Sequence, residues 1–219
     1  MTESFSPRLE ILPPPQRRLW DELSQIPPGF VLYGGTAIAL HLGHRESADF
    51  DFFSDRRLDE MRLAPSVPLL ANAVITQRAP DTLSCIVDRE GPVKLSFFGL
   101  PALGRLRTPV TSPDNGLRIA SLPDLAATKM AVVQMRAEAR DYIDIDALIE
   151  RARIDLATAL AGATAIYGAQ FNAQLTLKAL SYFGDGNLRQ LSRAVRDRLV
   201  QAVKAVDLDR LPLIRTSPG

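Results

Sequence analysis

The stretch from Phe30 to Phe53, FVLYGGTAIALHLGHRESADFDFF, constrains this chain more than any other. An apolar run enters a Gly-Gly turn, a short helical pattern follows, and two aspartates one residue apart, Asp49 and Asp51, then fall inside a second apolar segment. Carboxylates in such a segment need partners, because burying an ionised group without hydrogen bonds, a cation or a metal is costly. In an extended strand positions i and i+2 share a face, so Asp49 and Asp51 aim at one point. Oxygen-only donors of this kind suit Mg²⁺ or Mn²⁺, which keep water and substrate oxygens in their remaining positions. The purely structural alternative is a strand end tied to Arg45 or to backbone amides.

The turn ahead of the aspartates adds a second half. Glycines let the chain reverse tightly and let a phosphate approach backbone N–H groups at a helix N-terminus. Gly34, Gly35 and the Thr36 helix start therefore pair with Asp49 and Asp51 as a phosphate cradle beside a cation clamp, the two needs of phosphoryl or nucleotidyl transfer. His44 and Arg45 read as entrance or structural groups, with phosphate contact by Arg45 as the functional option. Zinc is disfavoured, since His41, His44 and the single Cys85 form no ligand motif.

Composition removes several other classes. With 219 residues, 46% hydrophobic and 23% charged, the chain is long enough for one large domain or a catalytic unit with an appendage. No apolar run reaches the roughly 18–20 residues of a membrane span, and MTESFSPRLE lacks the layout of a signal peptide, so no membrane partner and a cytoplasmic location are expected. The balance of 26 basic and 25 acidic side chains gives no global attraction for nucleic acid. Cys85 reads as a small core residue in the alternating segment TLSCIVD.

In chain order, Leu19, Trp20, Leu23 and Ile26 predict a covering helix over about 14–26, stopped by Pro27-Pro28-Gly29. A strand over 30–33 and a helix from near Thr36 precede the Asp49-Asp51 strand. Residues 54–78 are expected to be helical in two pieces, with Ser54 or Asp55 as cap and breaks at Pro65 and Pro68. A hairpin is predicted over 83–87 and 93–98, with Lys94, Ser96 and Phe98 on one face. Residues 101–119 hold no long element. A long helix starts at Ser121-Leu-Pro-Asp124, with Lys129, Val133, Arg136 and Arg140 near one stripe. Asp141 reads as the cap of the next helix, and helices continue to about Val206 with breaks at Gly168 and Gly184. A frayed end is expected at TSPG.

These residues carry a family resemblance. GGTAIALHLGHRESADFDFF resembles the nucleotidyltransferase signature hG[G/S]…DxD, in the form of the AbiEii/AbiGii toxin family. LPDLAATKMAVVQMRAEARDYIDIDALI is similar to that family's later lysine-bearing helix and Arg-Asp-x-x-Asp start, and YGAQFNAQLTLKALSYFGD to its C-terminal helical portion. The resemblance implies an α/β fold: a polymerase-β-like nucleotidyltransferase mixed sheet with flanking helices over 1–120, then an α-helical C-terminal portion over 121–219. It implies a toxin of a toxin–antitoxin or abortive-infection system that transfers a nucleoside monophosphate from a nucleoside triphosphate to RNA (particularly tRNA) or protein, with a possible cognate antitoxin.

Carried over by position, the resemblance implies that Gly34, Gly35 and Thr36 contact phosphates, that Asp49 and Asp51 bind the metal, and that Lys129 lies near the triphosphate with Asp141 or Asp144 completing the later motif. Asp144 is the better functional candidate, because helix capping accounts for Asp141 alone. Lys129 also has a reading as a snorkelling surface lysine, and Arg136 and Arg140 either meet phosphate or pair with Glu138, Asp141 or Asp144. One departure stands out. Relatives of the polymerase-β type commonly place a third carboxylate on a following strand, and here PVKLSFF offers Ser96. That motivates two alternatives: a nucleotide- or partner-binding protein of the same fold without transfer, and a small-molecule nucleotidyltransferase of the aminoglycoside-modifying kind.

Overall fold

The structure, a computed structural model, describes residues 5–216. It divides into two compact units, one running to Leu103 and including Thr108–Ala120, the other made of Gly104–Arg107 and the chain from Ser121 onward. The expected frayed end at Ser217–Gly219 lies outside the described residues.

The first unit opens with α1 (Pro14–Leu19), which tightens into a 3₁₀ turn over Trp20–Gln25. Strand β1 (Phe30–Tyr33) runs directly into α2 (Gly34–Leu42), so the helix begins at the glycines, two residues earlier than the sequence pattern suggests. Gly43, at φ 60°, ends α2 in the left-handed conformation common after helix C-termini. Strand β2 spans Phe50–Ser54, leaving Asp49 one residue ahead of the ladder and not within it. After α3 (Glu60–Ser66), capped by Asp59 and not by Ser54 or Asp55, come β3 (Val74–Ala79), β4 (Thr82–Asp88) and β5 (Pro92–Gly99). Short strands β6 (Val110–Thr111) and β7 (Arg118–Ile119) complete a sheet of order β3-β4-β5-β2-β1-β7-β6.

Strand β3 corrects the expectation of helix to residue 78. The run VITQRA faces water on most of its positions, so it lacks the period of a half-buried strand. Pairing with β4 through a bulge between Ile75 and Gln77 makes it a strand; this partner is set by tertiary context and not by the segment's own pattern.

The sheet's two faces explain the alternation in β2. Leu32, Phe50, Phe52, Leu83, Cys85, Leu95 and Phe97 are fully buried on one face; each such side chain contributes on the order of 1.5–3 kcal/mol by leaving water. Asp51, Phe53, Ser84, Ser96 and Phe98 stand on the other, in register across β2, β5 and β4. Burial pushes the Cys85 thiol up to about 11, so it is an inert core group, as its alternating segment predicts.

The second unit is helical. It contains α4 (Leu122–Met135), α5 (Ala139–Glu150), α6 (Leu156–Tyr167), α7 (Ala173–Ala179) and α8 (Arg193–Lys204). The breaks at Gly168 and around Gly184 fall where the sequence places them. Two helix-end readings change. α4 stops at Met135, so Arg136 and Arg140 leave the stripe of Lys129 and Val133. α5 starts at Ala139 with Glu138 at the N-cap, which puts Asp141 inside the first turn and not at the cap. Close approach of α4 and α6 requires a small residue at Gly162, where a Cβ would lie 2.7 Å from Leu106 and 3.3 Å from Ala127. Asp146 and Arg198 join α5 to α8 through two hydrogen bonds of 2.7 and 2.6 Å.

Candidate active site

In the first unit the candidate residues converge from three neighbouring elements. Antiparallel pairing sets Tyr33 opposite Asp51, and Gly34 follows Tyr33 at the start of α2. Gly34 has φ 74°, a conformation L side chains rarely adopt, and a Cβ there would lie 2.8 Å from Asp51 Oδ2. The carboxylate thus leans over the glycine turn, in space that only a residue without a side chain leaves open. Asp49 and Asp51 are both half-buried. Their chemistry fits a divalent cation: two oxygen-donor carboxylates two residues apart in the chain, Asp51 lying over a side-chain-free turn.

The Thr36 hydroxyl is engaged within the chain. The side chain is buried, exchanges a hydrogen bond with Ser47 Oγ at 2.8 Å and donates to the Asp49 carbonyl. The hydroxyl therefore ties the start of α2 to the backbone of the first aspartate, and what Thr36 can offer a phosphate is its backbone N–H at the helix N-terminus. Ser47, in the His-Arg-Glu-Ser segment, is a positioning group that sequence reading passed over. Arg45 is half-buried and donates to the Glu46 carbonyl at 2.8 Å. His41 donates from Nε2 to the Ala120 carbonyl at 2.9 Å, and burial lowers its pKa despite that bond. It is a structural histidine that fastens α2 to the chain after β7.

Ser96 lies beside Asp51 in the parallel β2–β5 ladder, at the place the sequence assigns to a third carboxylate. It is 3% exposed and accepts a hydrogen bond of 3.3 Å from Ser84 on β4. Ser84 becomes legible only once the hairpin register pairs it with Ser96.

The second unit builds its own polar cluster. Lys129, on α4, places Nζ 2.6 Å from Asp141 Oδ1 and 2.7 Å from Asp144 Oδ2. Both aspartates are fully buried, and the lysine is 5% exposed, which rules out the reading of it as a snorkelling surface group. Arg136 closes the other side of Asp141, with Nε at 2.7 Å from Oδ2 and Nη2 at 3.1 Å from Oδ1. Burial raises the Asp141 carboxyl, but Arg136 and Lys129 more than offset this and leave its pKa below the ordinary value. Lys129, Arg136, Asp141 and Asp144 together carry no net charge, so the quartet is self-compensating as built. Arg140 pairs with Glu138 at 2.7 Å.

Asp124, also fully buried, sits in the first turn of α4, where the Ser121-Leu-Pro-Asp124 pattern places it. Its carboxylate additionally accepts from the backbone N–H groups of Leu106 at 2.7 Å and Arg107 at 3.1 Å, and from Ser121 Oγ at 2.5 Å. It therefore anchors the Gly104–Arg107 segment to α4. Among the described residues, no group of three or more His, Cys, Asp or Glu side chains is placed to hold a metal. None of the described helices is long and apolar enough to cross a membrane.

A mixed sheet whose Gly-Gly helix start abuts an Asp-x-Asp strand defines the nucleotidyltransferase fold class. Solved structures agree in fold: a protein from H. pylori assigned as a nucleotidyltransferase superposes with TM-score 0.54 at 19% identity, covering 87% of this chain and 90% of that one. MenT4, a nucleotidyltransferase toxin from Mycobacterium tuberculosis H37Rv, gives TM-score 0.56 at 18% identity over 88% and 82% of the two chains. The family model for the nucleotidyl transferase AbiEii toxin of type IV toxin–antitoxin systems matches residues 17–212, and the chain belongs to that family. An uncharacterised protein of Aquifex aeolicus is 31% identical over 129 residues, a match spanning 58% of this chain and 61% of the relative's length.

Proposed function

We infer that this protein is a divalent-cation-dependent nucleotidyltransferase acting as the toxin of a toxin–antitoxin or abortive-infection system in the cytoplasm. The observation that carries the reading is the Asp51 carboxylate leaning over the side-chain-free Gly34 turn, with Asp49 two residues before it. An acceptor hydroxyl oxygen attacks the α-phosphorus of a nucleoside triphosphate, the bond to the β-phosphate oxygen breaks, and pyrophosphate leaves as the hydroxyl proton is lost. Gly34, Gly35 and the backbone of Thr36 hold phosphate oxygens, with Arg45 as a further contact, and Asp49 and Asp51 hold Mg²⁺ or Mn²⁺. The ion supplies charge neutralisation at the phosphates. Lys129 and Asp144 of the second unit serve the same reaction, Lys129 through its pairing with Asp144. RNA, particularly tRNA, or a protein is the acceptor, and a cognate antitoxin is a further partner.

The test is incubation with labelled nucleoside triphosphates, Mg²⁺ and total cellular RNA. Label should pass to RNA and be abolished by Asp49→Ala and by Asp51→Ala. Tight nucleotide binding with no transfer to RNA, protein or small molecules would instead favour a binding protein that keeps the fold, the reading that Ser96 motivates. Transfer to aminoglycoside-type small molecules alone would move the assignment to that class.

A further inference from the structure

The row of side chains beside Asp51 limits how many cations this site can hold. Across the sheet at that level stand Tyr33 on β1, Asp51 on β2, Ser96 on β5 and Ser84 on β4. Residues paired across neighbouring strands project from the same face, so a carboxylate at 96 would reach toward the same space as Asp51. A serine there is neutral and a weak ligand for a hard cation. Ser96 is moreover nearly sealed, and its oxygen is engaged by Ser84. Lys94, two residues earlier on β5, is exposed on that face and adds a positive charge. In this row Asp51 is the one carboxylate, with Asp49 two residues before it.

We propose that the site takes one divalent cation, held by Asp49 and Asp51 and completed by phosphate oxygens of the nucleotide, and that Ser96 fixes this number. The proposal rests on the reading of Asp49 and Asp51 as cation ligands. Two-ion sites hold their metals about 3.5–4 Å apart, so a second ion needs further ligands within that reach. Here the position on β5 beside Asp51 offers a neutral hydroxyl and no carboxylate.

The experiment counts ions directly. The full chain is dialysed to equilibrium against Mn²⁺ and an equimolar set of the four α,β-methylene nucleoside triphosphates, with nucleotide-only dialysis as the blank, and the complex is examined by electron paramagnetic resonance. One Mn²⁺ per chain with the six-line spectrum of an isolated ion is expected. Asp49→Ala with Asp51→Ala should abolish it, and Ser96→Asp should add a second ion with a spin-coupled spectrum, while Ser96→Asn stays at one. Two coupled ions on the wild-type chain would overturn the proposal while leaving the cation-ligand reading intact. No bound ion, or one that survives loss of both aspartates, would overturn that reading itself and the proposal with it. A Ser96→Asp chain that melts like wild type and still binds one ion would remove the role of position 96. The wild-type count decides the stoichiometry even where Ser96→Asp fails to fold.

Discussion

Lys129 Nζ lies 2.7 Å from Asp144 Oδ2, with the aspartate fully buried and the lysine nearly so. Together with its 2.6 Å contact to Asp141, this makes the lysine the shared counter-ion of two sealed carboxylates. Lys129→Met should therefore destabilise the second unit by about 3–5 kcal/mol, the range for removing one partner of a buried ion pair. Lys129→Arg should be milder in stability yet still impair transfer. Thermal melts and transfer assays run on the same preparations separate the two effects; a Lys129→Met chain that melts like wild type would show that the cluster does not need its cation.

The depressed pKa of Asp141 gives a pH dependence of definite sign. In the unfolded chain its carboxyl titrates near the ordinary value of about 3.9, and in the folded chain it does so lower, because Arg136 and Lys129 outweigh burial. The stability it contributes is complete above the ordinary carboxylate range and is lost as pH falls through that range toward the folded value. Asp141→Asn should lower stability at neutral pH, by leaving Arg136 and Lys129 undercompensated, and should flatten the acid limb of a denaturation profile between about pH 5 and 2. An unchanged acid limb in the variant would refute the assignment.

His41 acts in the same direction higher on the scale. Burial keeps the folded imidazole neutral below its ordinary pKa of about 6.5, so the unfolded state binds more protons as pH falls through that value. Stability of the first unit should decline below about pH 6.5. His41→Gln, which keeps a donor for the Ala120 carbonyl, should remove that slope in chemical denaturation followed through Trp20.

Gly34→Ala should be disproportionate for one methyl group. It puts a Cβ 2.8 Å from Asp51 Oδ2 and demands φ near 74° of an L residue. A stability cost of about 1–2 kcal/mol is expected from the backbone alone. Transfer should fall at least about tenfold, because the displaced carboxylate is one of two proposed ligands. A normal rate in a folded Gly34→Ala chain would argue against this turn as the phosphate site.

Asp124→Ala should behave as a pure stability variant. It strips three hydrogen bonds from a fully buried carboxylate and leaves the Leu106 and Arg107 N–H groups without their acceptor. Each buried donor so abandoned costs about 1–3 kcal/mol. Limited proteolysis should cut near Gly104–Arg107 in the variant and spare the wild type.

Much of this was legible in the chain because the informative segments are self-contained. The Gly-Gly turn and the β4–β5 hairpin depend on local backbone chemistry and short-range alternation, so their positions could be read directly. What escaped depends on partners distant in sequence. β3 is a strand because β4 is beside it. Asp141 resembles a cap until Lys129 and Arg136 are seen on either side of it. The Thr36 hydroxyl is tied to Ser47 and to the Asp49 carbonyl, contacts that no local pattern announces. For β3 and Asp141 the competing local explanation was sound, and a tertiary contact outweighed it.

The polar outward run of β3 has a consequence for the protein at high concentration. As the last strand of its sheet, β3 exposes unpaired backbone groups that invite another chain to add on. Arg78 and Gln77 on its exposed positions, the bulge at Ile75/Gln77 and Pro80 immediately after it make that rim a poor template for strand addition. A burst of synthesis should therefore give soluble chains and not fibrils, and Arg78→Val combined with Gln77→Val should turn the rim into a nucleation site.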